Sequence, residues 1–162
     1  MSIRFDDRVA IVTGAGGGIG KQHALELAKR GAKVVVNDLG GTVDGSGASD
    51  AAEEVVSQIK SDGGEAISSG ASVTDLEAVK AMVEQAMSKW GRVDILVNNA
   101  GILRDKSFHK VTIDDFNLVM DVHFQGTLNC THSVFPIMRE QEYGRIVSVS
   151  YTHLRAHETA CY

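Results

Sequence analysis

The chain has 162 residues, a formal net charge of −5, one proline, seventeen glycines and two cysteines. An acidic balance without a basic cluster excludes a nucleic-acid surface. No run approaches the roughly 18 apolar residues of a membrane span. Two cysteines make no disulfide framework, so Cys130 and Cys161 are expected as reduced thiols of a cytoplasmic protein. The N-terminus lacks a basic region followed by an apolar run, so no secretory signal is expected. A chain near this length buries roughly 70% of its unfolded surface, enough for one α/β domain.

Val9-Ala10-Ile11-Val12 reads as a buried strand. Thr13-Gly14-Ala15-Gly16-Gly17-Gly18-Ile19-Gly20 follows, then a helix over Lys21 to Arg30 with Leu25, Leu27 and Ala28 as apolar positions and Gly31 as its stop. Strand, glycine turn and helix form the context that a dinucleotide-binding fingerprint needs. Gly14 lets the chain reverse tightly, Gly18 lets backbone approach a pyrophosphate, and Gly20 lets the helix lie close to the strand. The N–H groups of the first helical turn and the positive helix end then hold the phosphates.

The second strand, Lys33 to Asp38, has the near-continuous apolar centre of a parallel strand covered on both faces. Leu39 to Ser49 reads as a loop. Asp50 is expected to cap a helix running to about Lys60, with Glu53 in capping-box position. A short strand covers Glu65 to Ser69. Thr74-Asp75-Leu76-Glu77 reads as a second capping box, opening a helix with Val79, Met82, Val83, Ala86 and Trp90 on one face and Gly91 at its end. Val93 to Val97 is a fourth strand, followed by Asn98-Asn99-Ala100-Gly101. Thr112 and Asp115 open a long helix through about Met138, and Arg145 to Val149 reads as a fifth strand. Strands alternating with helices predict an α/β protein with a Rossmann-type, doubly wound parallel sheet.

Asp38 ends the second strand eighteen positions after Gly20. An acidic side chain there accepts hydrogen bonds from the adenine ribose hydroxyls. It also disfavours NADP: a carboxylate and a 2′-phosphate ~4 Å apart repel by about 4 kcal/mol at an effective dielectric of 20. A basic residue inside the turn would offset this, but Gly17 stands there, and Lys21 reads as a solvated helix residue. NAD is the expected cofactor.

Thr13-Gly14-x-x-x-Gly18-x-Gly20 and Asn98-Asn99-Ala100-Gly101, in register, resemble the short-chain dehydrogenase/reductase family over about residues 5 to 148. Val34 to Gly41, Asn98 to Asp105 and Tyr143 to Ile146 further resemble the group of 3-hydroxyacyl-CoA dehydrogenase units found in type 2 multifunctional enzymes. The resemblance implies an NAD-dependent oxidoreductase acting on (3R)-hydroxyacyl thioesters. It implies a cofactor site made of Gly14, Gly18, Ile19, Gly20, Asp38, Leu39, Ser72, Val73, Asn98, Ala100 and Gly101. Ser72 and Val73 would border adenine. Asn98 to Gly101 would wall the adenine-ribose side and tie the central helix to the sheet.

The family's chemistry uses Ser, Tyr and Lys, with an Asn in support. The Tyr hydroxyl moves the proton, and a nearby Lys⁺ lowers its pKa from about 10. The supporting position falls on His123, which the multifunctional group shares. The other three are not found. The Ser should follow Ser150, where Tyr151 stands; four residues after Tyr143 is Val147, and four after Tyr151 is Arg155. A planar guanidinium does not replace a point-charge ammonium. Tyr162 ends the sequence. No metal site is expected from His153, His157 and Glu158, whose order does not fit a metal-binding helix.

Residues 1–148 are therefore expected to form the NAD-binding part of a longer enzyme, cut after about five strands, and 149–162 a non-native tail resembling translated library-adapter sequence. Such a chain would leave strand five as an edge and expose an apolar stripe on the helix from Thr112. It would be marginally stable, prone to aggregation and inactive. The parent is expected to be a homodimer or homotetramer acting on a small-molecule acyl thioester, with neither nucleic acid nor membrane as partner. Alternatives are a 3-oxoacyl-carrier-protein reductase, a non-catalytic NAD-binding module, and a peroxisomal rather than cytoplasmic address.

Overall fold

The computed structural model describes residues 3–40 and 50–149. Residues 41–49 of the expected loop, and 150–162 with Tyr151, Arg155, Cys161 and Tyr162, lie outside the described residues. Five strands form one parallel sheet in the order β3-β2-β1-β4-β5: β1 Val9–Thr13, β2 Lys33–Asn37, β3 Glu65–Ser69, β4 Ile95–Asn98 and β5 Arg145–Ser148. Helices α1 Gly18–Lys29, α2 Ala51–Ser61, α3 Leu76–Trp90, α4 Ile113–Met120 and α5 Gly126–Glu140 connect them.

The strand period of two divides the core between the two sheet faces. Ala10, Val12, Val34 and Val36 face one side and pack with Ala24 and Ala28 of α1 and Val55 and Ile59 of α2. Val9, Ile11 and Val35 face the other, against Val79 and Val83 of α3 and Val134 and Met138 of α5. Each such side chain removed from water contributes roughly 1.5–3 kcal/mol. This is the two-sided burial that the apolar runs of β1 and β2 require.

Local chemistry departs from the sequence reading in three places. Asp50 precedes α2 but its side chain makes no cap hydrogen bond; Glu53 instead accepts from the Ser68 hydroxyl on β3. The cap of α3 is Asp75 rather than Thr74. Its Oδ1 accepts from the Glu77 and Ala78 N–H groups at 2.9 and 3.2 Å, while the Thr74 hydroxyl pairs with Ser72. The long helix does open on the Thr112/Asp115 capping box, but a π-helical turn over Asp121–Gln125 divides it into α4 and α5. A hydrophobic period does not reveal one inserted residue.

Among the described residues β5 is an edge strand, and Ile146 and Val147 are exposed. Phe108 (96% exposed), Ile113, Phe116, Phe124 and Phe135 are also open to solvent. Ile113, Phe116, Phe124 and Phe135 are the exposed apolar residues expected for the segment from Thr112, and Phe108 stands just before it.

Candidate functional site

The carboxyl ends of β1, β2, β3 and β4 converge where an open α/β sheet holds its ligands. The turn after β1 is closed against β2 by the Ala15 N–H, which donates to the Asn37 carbonyl at 2.9 Å. Gly14 has φ +62°, and a Cβ on it would lie 2.8 Å from the Ala100 Cα. A Cβ on Gly20 would overlap the Gly14 carbonyl oxygen and the Asn99 amide. Turn, helix start and the segment after β4 thus meet at backbone distance.

Two polar side chains hold this junction. The Asn99 amide donates to the Thr13 and Gly14 carbonyls at 3.0 and 2.9 Å. The Thr13 hydroxyl accepts from the Asn99 and Ala100 N–H groups, both at 3.0 Å, and donates to the Val97 carbonyl at 3.3 Å. Thr13 is 1% exposed, so each of these bonds satisfies a group that water cannot reach. Asn99 lies in the Asn98–Gly101 segment read from the sequence as a wall of the site, whereas Thr13 is not among the expected site residues; its signal is a threonine at a strand end that needs buried partners.

Helix α1 begins without a cap. Gly17 offers no side-chain acceptor, and the first turn has no acidic residue. The N–H groups of Gly18, Ile19 and Gly20 therefore lack intrahelical acceptors and sit at the positive helix end. A Cβ on Gly17 or Gly18 would meet nothing within 4 Å among the described residues, so these leave the space over the amides open. Ile19 and Leu39 are exposed apolar side chains at its margin. An uncapped, acid-free helix start facing open space fits a pyrophosphate.

Asp38 follows β2. Its Oδ2 accepts from the Gly16 N–H and its Oδ1 from the Gly40 N–H, both at 2.8 Å. Each carboxylate oxygen retains a second acceptor position, so a ribose diol can be bound without breaking either bond. A Cβ on Gly16 would lie 2.8 Å from the Asp38 Cγ; glycine is needed there for the carboxylate to reach the turn.

The segment after β3 carries Ser72 and Val73. The Asn37 amide holds its start, donating to the Ser69 and Ala71 carbonyls at 3.1 and 2.8 Å. Val73 is 7% exposed and packs into the core against α5. It therefore shapes this segment rather than offering an open apolar side chain.

At the end of β4, the Asn98 amide donates to the Thr131 hydroxyl of α5 at 3.2 Å, tying helix to sheet. Its Oδ1 is buried and has no hydrogen-bond partner among the described residues. Past Ala100, a Cβ on Gly101 would lie 2.6 Å from the His123 Cε1. The His123 Nε2 is 3.1 Å from the Ile102 nitrogen and 2.9 Å from its carbonyl oxygen. The π-helical turn thus brings His123 onto the segment after β4, accepting or donating according to its tautomer.

Tyr143, the described tyrosine, is at the opposite, amino-terminal end of the strands, beside the residues that precede β1 and β5. Its ring lies 3.7 Å from the Arg8 guanidinium carbon and 4.9 Å from that of Arg145. Beside it Asp94, fully buried, accepts from Arg8, Arg92 and the Val9 N–H. Burial alone would raise the Asp94 pKa, but these hydrogen bonds outweigh it and hold the carboxyl below its usual range. A cleft of about 990 Å³ between the carboxyl ends of α1 and α2, bordered by Glu26, Lys29, Asp62 and Glu65, also lies at the amino-terminal end of the strands. It is therefore not the dinucleotide crevice.

Comparison with known proteins follows the same lines. A sequence model described as short chain dehydrogenase matches residues 8–159. The chain is 56% identical over 149 residues to peroxisomal multifunctional enzyme type 2 of Drosophila melanogaster, covering 91% of this chain and 24% of that protein. It is 54% identical to peroxisomal multifunctional enzyme A of Dictyostelium discoideum, covering 93% and 34%. A solved 7α-hydroxysteroid dehydrogenase in complex with NADH and 7-oxo glycochenodeoxycholic acid superposes with a TM-score of 0.83 at 35% identity, covering 94% and 56%. The chain thus spans a quarter to a third of those two relatives and about half of the solved structure. With the glycine turn, the Asn98–Gly101 segment and the sheet order all in register, this chain belongs to the short chain dehydrogenase family.

Proposed function

We propose that this chain is the cofactor-holding part of an NAD-dependent oxidoreductase that interconverts a secondary alcohol and a ketone, with a 3-hydroxyacyl or 3-oxoacyl thioester as substrate. The observation that carries the cofactor is the Asp38 carboxylate, fixed by the Gly16 and Gly40 N–H groups beside an uncapped helix start. The NADH in the solved relative supports the same choice. The names of the multifunctional relatives favour the peroxisomal alternative over a cytoplasmic address.

In this reading the N–H groups of Gly18, Ile19 and Gly20 hold the pyrophosphate, and Asp38 accepts from the ribose hydroxyls. Leu39 and Ser72 border the adenine end, Val73 contributes there through its backbone while its side chain packs on α5, and Asn98, Ala100 and Gly101 form the opposite wall. Bound NAD supplies the hydride acceptor. His123 positions the segment after β4 through Ile102. Tyr143, the tyrosine among the described residues, lies away from the glycine turn, and in this reading the chain binds cofactor weakly and does not turn over. The whole enzyme pairs as a homodimer or homotetramer.

Titration of the folded chain with NADH and NADPH, followed by nicotinamide fluorescence, tests this. Saturable binding that favours NADH is expected. No binding at millimolar cofactor, or a preference for NADPH, overturns the cofactor assignment, and oxidation of a 3-hydroxyacyl-CoA by this chain overturns the inactivity.

A further inference from the structure

We propose that Gly126 and Asn129, at the start of α5, are positioning residues for the adenine end of the cofactor. The inference rests on the cofactor reading above and adds residues of α5 that lie behind the segment after β3. The segment from Gly70 to Asp75 is held from two sides. In front, the Asn37 amide fixes the Ser69 and Ala71 carbonyls. Behind, the Asn129 amide donates to the Val73 carbonyl at 2.9 Å in a buried bond. Asn129 is 5% exposed, and its Oδ1 accepts from the Gln125 amide at 2.9 Å. With its oxygen so engaged, its nitrogen is left to face Val73.

Gly126 acts by what it lacks. Its φ of −61° and ψ of −44° are ordinary for a helix, so backbone freedom does not explain it. Glycine is among the poorest helix formers. Its gain here is space: a Cβ would lie 2.7 Å from the Val73 Cγ2 and 3.1 Å from the Val73 Cβ. An alanine would push the segment outward, toward the adenine side.

The π-helical turn accounts for the alignment. One residue inserted in a helix rotates everything after it by about 100°. The turn over Asp121–Gln125 lets His123 meet Ile102 while Gly126 and Asn129, a few residues on, meet Val73. The start of α5 is thus a strut between the segments after β3 and after β4.

The test is AMP affinity, by calorimetry, of the folded 162-residue chain and its variants. Gly126→Ala is expected to weaken AMP about tenfold and Asn129→Ala about fivefold. Adding Val73→Ala to Gly126→Ala makes room for the new methyl and recovers most of the loss. A role confined to stability would lower the melting temperature and leave AMP affinity of the folded chain unchanged. Should Gly126→Ala fail to fold, Asn129→Ala and the Val73→Ala/Gly126→Ala pair decide. If the unmodified chain binds no AMP, the cofactor reading fails and takes this inference with it. If it binds AMP and the folded variants stay within about twofold, or Val73→Ala brings no recovery, this inference alone is overturned.

Discussion

The Asp38 carboxylate accepts the Gly16 N–H at 2.8 Å, joining the end of β2 to the turn after β1 across 22 positions. Bound cofactor would find its ribose acceptor already oriented. Hydrogen bonds to a charged group are worth about 1.5–3 kcal/mol, so Asp38→Ala should weaken NAD about 10- to 100-fold. Removing the charge also removes repulsion of a 2′-phosphate. Since no described residue lies within 4 Å of a Cβ at Gly17, Asp38→Ser with Gly17→Arg should favour NADP. Parallel titrations with both cofactors measure this; an unchanged NAD-to-NADP ratio would refute the role of Asp38.

The glycines of the turn are not equivalent. A Cβ on Gly20 would overlap the Gly14 carbonyl oxygen and the Asn99 amide, whereas one on Gly17 meets open space. Gly20→Ala should cost about 1–3 kcal/mol of stability through overpacking. Gly17→Ala should cost under about 1 kcal/mol, as an N-cap change. Urea melts of both variants give the comparison; equal losses would mean that the close approach at Gly20 relaxes freely.

The parallel strands and the glycine turn were legible because they follow from local signals, whereas the order of the strands in the sheet is set by pairings between distant segments. Buried parallel strands read as apolar runs, and the glycines and Asp38 sit at fixed distances from them. Thr13, Asn37 and Asn129 were not legible, because their importance lies in partners 84, 34 and 56 positions away. The cap of α3 was misplaced by one residue, since Thr74 and Asp75 are both good caps and only geometry chooses. The π-helical turn leaves no mark in a hydrophobic period, yet it decides which side chains of α5 meet Val73.

Two carboxylates give the fold an acid limit. Hydrogen bonds from Lys106 and Thr112 lower Asp115 to about 2. Asp94 is also lowered, burial being outweighed by Arg92, Val9 and Arg8. Both folded values lie below the unfolded value near 3.9. As pH falls, the unfolded chain takes up protons first, so this stability is complete above about pH 5 and is lost on acidification. For Asp115 the loss ends near 2. Asp94→Ala, which leaves the buried Val9 N–H without its acceptor and removes the partner of the part-exposed Arg8 and Arg92, should cost about 1–3 kcal/mol at neutral pH. Its urea midpoint should also depend less on pH between about 5 and 3; an unaltered dependence would assign the acid limit elsewhere.

Cys130 provides a probe of opening. It is 1% exposed, and burial pushes its thiol up to about 12. The thiolate is the reactive form, and at about pH 8 it would be scarce even if a reagent could reach it. In a Cys161→Ser variant, labelling of Cys130 should therefore proceed only through opening of α5 from the sheet, and its rate should rise with urea. Bound NADH should slow it if cofactor and α5 are coupled through Val73. A fast initial phase of labelling in native buffer would show that α5 does not shield the thiol.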